Sequence, residues 1–163
     1  MPIDPVLDVI RRAHILIRSG TAWCQEAEAL NADGEDREGL DPDACQWCGY
    51  GATLAANPHR HIAVGGRIDH PRHVDVIADD YLDRAARALY SRHPTFAGYE
   101  SGPTADVVND VLGHTEILNV FDLAERLRRG GAATSAEASS AVGVGVSSSS
   151  MCSPAAAWGA PRV

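Results

Sequence analysis

Through most of the first 129 positions, apolar residues recur at intervals of three and four, the period of an amphipathic helix. Asp4-Pro5 opens the first segment, since a short carboxylate caps a helix and proline suits its first position. Val6, Val9, Ile10, Ala13, Leu16 and Ile17 then share one face, and Gly20 ends it. A shorter helix is predicted from Thr21 to Leu30. Asn31 to Gly39 is polar, with turn chemistry and no apolar period. Asp41-Pro42 repeats the cap-plus-proline signal and predicts a helix carrying Ala44, Trp47, Cys48, Ala52 and Ala55 that stops before Pro58.

Residues 59–73 break the pattern. Ile62-Ala63-Val64, Gly65-Gly66 and Arg67-Ile68 suit a small hairpin with a primed turn, or an irregular loop. Helical spacing returns from Val74 to Tyr90, with Val74, Ile77, Ala78, Tyr81, Leu82, Ala85, Ala88 and Leu89 on one face. Its acids (Asp75, Asp79, Asp80) come early and its arginines (Arg84, Arg87) late, matching the helix dipole. A turn-rich link through Pro94, Gly98, Gly102 and Pro103 leads to a short helix from Ala105 to Leu112. A last helix, Thr115 to Arg129, turns Leu118, Phe121, Ala124 and Leu127 inward. The pattern predicts an all-α fold, a single small bundle of about five helices, over residues 1–129.

Charge separates this body from the rest of the chain. From Gly130 to Val163 the only charged side chains are Glu137 and Arg162, so the formal net charge of −8 resides on residues 1–129. Residues 130–163 form a Ser/Ala/Gly tract with few large apolar groups to offset ordering entropy, and read as a disordered tail. Ala138 to Pro161 is uncharged and long enough to cross a bilayer, but it is too poor in Leu, Ile, Phe and Val to insert. The acidic balance, with a pI near 5.2, argues against a nucleic-acid backbone binder and against a polybasic membrane-surface protein. Met1-Pro2-Ile3-Asp4-Pro5 has neither the basic start nor the apolar run of a secretory signal. A cytoplasmic location with mostly reduced cysteines (24, 45, 48 and 152) is the expectation.

Three stretches carry a recognisable order: Trp23-Cys24-Gln25 followed by Ala29 and Asp33-Gly34; Asp41-Pro42 with Ala44, Trp47-Cys48 and Gly51-Ala52; and Val108-Asn109-Asp110 with Thr115, Leu118, Phe121-Asp122 and Ala124. In this arrangement the chain resembles a family of small, mostly bacterial and phage proteins of unknown function, over roughly residues 5–127. Its pattern is Trp-x-Gln, a polar loop, Trp-Cys-x-x-Gly-Ala, then Asn-Asp before a closing helix. Residues 59–73 look like an insertion relative to it, and the tail has no counterpart. The resemblance implies a helical fold and one cytosolic domain, and it supplies no activity.

Each candidate chemistry has a plainer alternative. Cys45-Gln46-Trp47-Cys48, expected on one helix face, is half of a zinc site if two of His59, His61, His70 and His73 complete it. The spacing matches no finger, and a thiol beside Trp47 in an apolar stripe is what a buried packing cysteine with surface histidines would show. The same CxxC read as a redox pair lacks the preceding βαβ unit. Nucleophilic catalysis by Cys24 or Cys48 with His114 and Asp110 requires the fold to assemble them, and there is no Gly-x-Ser-x-Gly, P-loop or GxGxxG. Trp23, Gln25, Trp47, Asn109 and Asp110 are candidates for a small-molecule pocket, rings giving area and the amide orientation. Alternatively, both tryptophans anchor a core poor in aromatics, and Asn109-Asp110 ties a loop. Gly130-Gly131 before a Ser-rich segment with Cys152 resembles the leader–core division of a modified-peptide precursor. The expectation is a non-catalytic accessory or protein-interaction domain with a protein partner. A zinc-binding domain is the alternative, and a precursor or small-molecule binder comes third.

Overall fold

A computed structural model describes residues 4–60 and 73–130. Helix α1 spans Pro5–Ile17, and the Asp4 carboxylate accepts from the amides of Val6 (3.0 Å) and Leu7 (3.2 Å). Val6, Val9, Ile10, Ala13 and Ile17 are fully buried, and Leu16 is half-buried. His14 joins this face, its ring stacked on Phe121 and its Nδ1 3.3 Å from Glu125 Oε1.

The helix predicted from Thr21 to Leu30 does not form. A single 3-10 turn, Gly20–Ala22, is followed by irregular chain and then by strand β1, Ala29–Leu30. β1 is the centre of a three-stranded antiparallel sheet with β2 (Asp36–Arg37) and β3 (Gln46–Trp47). Ala29 faces both Arg37 and Trp47 across it, and Leu30 faces Asp36 and Gln46. The polar stretch after β1 is a true turn: Asn31 Oδ1 accepts from the amides of Asp33 and Glu35, and Gly34 takes a positive φ of 79°.

Asp41-Pro42 does not start a helix either. The same dipeptide opens a β-turn when aspartate and proline fall at its first two positions. Here Asp41 Oδ1 accepts from Asp43 N at 2.9 Å, the chain turns once, and β3 follows. Helix α2 begins later, Gly49–Ala56, with Cys48 as its cap. The fold is therefore mostly helical with a small sheet, and not purely all-α.

The later helices lie close to their predicted bounds: α3 is Val74–Tyr90, α4 Ala105–Val111 and α5 His114–Gly130. On α3, Val74, Ala78, Leu82 and Ala85 are buried as expected, but Ala86 replaces the exposed Ala88 in the stripe. Phe96, in a 3-10 turn within the link after α3, is also buried. α1 packs on α2, α3 and α5, and α3 packs on α5, so one core holds Ile10, Ile17, Leu82, Phe96, Ile117 and Phe121. α5 is pinned to the start of α1 where Arg128 meets Asp4 in a bidentate pair at 2.7 and 3.1 Å. The proposed hairpin segment from position 61 to 72 and the tail beyond Gly130 lie outside the described residues.

Candidate functional site

Four of the five pocket candidates form one hydrogen-bonded clasp between α4 and the loop after α1. Asn109 is fully buried, and its Oδ1 accepts from Trp23 Nε1 (2.8 Å) and from Gly49 N (3.3 Å). Its Nδ2 donates to Cys24 O (3.1 Å) and to Asp110 Oδ1 (2.8 Å). Gln25 Nε2 donates to the carbonyls of Asn109 (3.0 Å) and Asp110 (3.1 Å). The Asp110 carboxylate accepts from Glu26 N at 2.9 Å, and Glu26 there takes a φ of 60°. Trp47, the fifth, bridges to Trp23 through the backbone and donates its indole N–H to Gly39 O at 3.1 Å. Both tryptophans pack against the core while keeping an edge near the surface.

The glycines beside the clasp fit its tight geometry. A Cβ on Gly51 would overlap the Glu28 carbonyl oxygen, because α2 runs directly against that backbone. Gly39 N donates to Glu28 Oε1 at the same crossing. The Trp-Cys-x-x-Gly-Ala spacing thus places Trp47 in β3, Cys48 at the helix cap and Gly51 where only glycine fits.

Cys45 and Cys48 do not share a helix face. They flank β3, and an odd separation in extended chain points side chains to opposite sides; Cys45 is exposed and Cys48 buried. Burial pushes the Cys48 thiol up, although its sulfur accepts from Gly51 N at 3.3 Å. Burial, with Cys48 nearby, pushes Cys24 up to about 12. His59 lies past the far end of α2, about 12 Å from its start at 1.5 Å per residue, and its Nε2 is 3.0 Å from Asp8 Oδ2. His73 caps α3, while His61, His70 and Cys152 lie outside the described residues. Among the described residues no group of three or more His, Cys, Asp or Glu side chains is arranged to hold a metal. His114 Nε2 is 2.7 Å from Ile17 O, and its ring packs on Trp23 at 5.0 Å.

Beside the clasp opens a cavity of about 500 Å³. Six carboxylates line it, from Glu26, Glu28, Asp79, Asp83, Asp106 and Asp110, with Cys48, Tyr50, Ala27, Leu82 and Ala105. Among the described residues, no arginine or histidine lines it. Asp79 accepts from Thr53 Oγ1 at 2.8 Å, and burial raises its carboxyl to about 7, with Asp75, Asp83 and Asp80 adding to the rise. Tyr50 is shifted upward by burial and by Asp79 and Glu28.

Of the residues singled out from the sequence, Cys48 and Asp110 line this cavity, whereas Trp23, Gln25, Trp47 and Asn109 do not. The acids of α3 were legible only as dipole partners. Asp79 and Asp83, four apart and each one position beyond a buried residue of the stripe, carried the missed signal.

Fold and site together define a mostly helical domain with a three-stranded sheet and an acidic cleft. Residues 1–127 match a family of unknown function, DUF6197, and the chain belongs to it. No curated protein and no solved structure matches this chain. Among the described residues, no helix is long and apolar enough to cross a membrane.

Proposed function

We propose that this domain is a non-catalytic binding module that takes a cationic side chain of a protein partner in its acidic cavity. The observation that carries the proposal is a ligand-sized cavity whose walls, among the described residues, hold six carboxylates and no cation. Leu82, Ala27 and Ala105 offer apolar wall for the methylene stem of an arginine or lysine, and Tyr50 offers a ring face for its charged head. Rapid nucleophilic turnover by a thiol is disfavoured, since Cys24 and Cys48 are buried and burial shifts both thiols upward, leaving little thiolate at neutral pH. The carboxylates of Asp110 and Glu28 already accept backbone amides, which fixes their positions without neutralising them.

A docked cation favours ionised Asp79, so binding expels part of a proton near pH 7 and strengthens as pH rises from 6 to 8. The test is calorimetric titration with N-acetyl-arginine amide and with an arginine-rich peptide, in two buffers of different ionisation enthalpy. Saturable binding that weakens in Asp79→Asn and in Glu28→Gln, with proton release lost in Asp79→Asn, is expected. Binding that is absent at millimolar ligand, or unchanged in both variants, sinks the proposal.

A further inference from the structure

Trp23 and Trp47 form a parallel backbone bridge, and Cys24 N donates to Trp47 O at 3.1 Å. Parallel neighbours lie about 4.8 Å apart, and Cys24 and Cys48 are the residues that directly follow this single bridge on its two sides. Disulfides join residues whose Cα atoms are about 4.4–6.8 Å apart, and the bond from Cys24 N to Trp47 O, the carbonyl directly before Cys48, brings the two backbones side by side. Both residues are buried; the Cys24 thiol donates to Ala27 O at 3.5 Å and the Cys48 sulfur accepts from Gly51 N at 3.3 Å, so each side chain turns from its present partner to form the bond. Cys45, exposed on the other side of β3, is not a competitor for either.

We propose that Cys24 and Cys48 form an oxidative modification site, a dithiol that a peroxide converts to a disulfide tying the loop after α1 to the start of α2. Access is through the acidic cavity, whose wall includes Cys48. Cys48 also sits at the cap of α2, where the Gly51 amide steadies its thiolate. In the first step the Cys48 thiolate attacks one peroxide oxygen and the O–O bond breaks. The departing hydroxide leaves as water with the thiol's proton, and Cys48 becomes a sulfenic acid. In the second step the Cys24 sulfur displaces the sulfenic oxygen, which leaves as water with the Cys24 proton. Overall two thiols lose two electrons and two protons, and one hydrogen peroxide becomes two waters. A thiol reductant reverses the bond. Because burial keeps both sulfurs mainly protonated, the reaction is slow at neutral pH and quickens as pH rises.

The experiment uses the full chain, as wild type and with Cys45→Ser and Cys152→Ser to remove other thiols. Protein is treated with hydrogen peroxide under native conditions, quenched in acid, alkylated in denaturant and mapped without reduction by mass spectrometry. The expected product is one peptide joining Cys24 to Cys48, two hydrogens lighter than its reduced parts. Closing a loop of this length also raises the melting temperature by roughly 5–10 °C, and dithiothreitol abolishes the rise. Wild-type mapping answers the question even if the double variant folds poorly. Recovery of both cysteines as free thiols overturns the proposal. So does a sulfinic or sulfonic acid at Cys48 beside an untouched Cys24, which would place the partner out of reach.

Discussion

Replacing Asn109 by alanine removes four hydrogen bonds at once, those to Trp23 Nε1, Gly49 N, Cys24 O and Asp110 Oδ1. Asp110 keeps the Glu26 amide, and the half-buried indole of Trp23 can turn its N–H toward water. Gly49 N and Cys24 O belong to buried residues and are left without this partner. Each orphaned buried group costs about 1–3 kcal/mol, so with the small void the loss is about 3–5 kcal/mol. Against a typical total of about 5–15 kcal/mol that is a large fraction. Urea denaturation followed by tryptophan fluorescence measures it, with an unchanged slope confirming that only stability has moved. Trp23→Phe keeps the ring and deletes the donor, so the two substitutions together should cost less than their sum by about 0.5–1.5 kcal/mol. A loss below about 1 kcal/mol for Asn109→Ala, or strict additivity in the cycle, refutes the clasp as the tie between α4 and the loop.

Gly51→Ala must force α2 away from the Glu28 carbonyl and should cost about 2–3 kcal/mol or more, read as a lower urea midpoint. Burial raises the Asp79 carboxyl to about 7 in the folded protein, above its unfolded value near 4, so the folded state binds the extra proton between those limits. Stability from this group is therefore lost as pH climbs through about 7, and Asp79→Asn should melt higher than wild type at pH 8 with the advantage gone at pH 5; parallel profiles reject the assignment. Burial works against the ionised form of Asp4, but Arg128 and the amides of Leu7 and Val6 outweigh it and lower the carboxyl. Arg128→Ala should cost about 1–2 kcal/mol at neutral pH, with Arg128→Lys recovering less than half because it lacks the fork. The cost should shrink as pH falls through the carboxylate range, and thermal melts between pH 3 and 7 test this.

The helical periods were readable wherever one stripe meets one core. α1, α3, α4 and α5 lie close to the bounds that spacing and caps predict, because in each the apolar face settles the conformation locally. Between Thr21 and Cys48 the signals were ambiguous. Asp-Pro opens a helix or a turn with equal chemistry, and Glu26, Ala27 and Glu28 are good helix formers by composition. Here hydrogen bonds from residues far along the chain decide the backbone. Asn109 claims Cys24 O, Asp110 claims Glu26 N, and Trp47 O takes Cys24 N. Trp, Gln and Asn-Asp stand out in the sequence against a plain helical background, which is why the candidate residues form a visible set. Their mutual bonding was not legible, because Trp23 and Asn109 are 86 positions apart.

By itself, then, the sequence determined the helical body, its caps, its net acidity and the few polar residues that stand apart from the stripes. Tertiary structure alone decided that parts of two predicted helices and the loop between them become a three-stranded sheet, that the CxxC thiols part to opposite faces, and that six scattered acids converge on one cavity. The reason is one of range. A stripe reports a helix through neighbours three and four residues away, whereas sheet pairing, a buried amide's partners and a cavity wall exist only once distant segments have met.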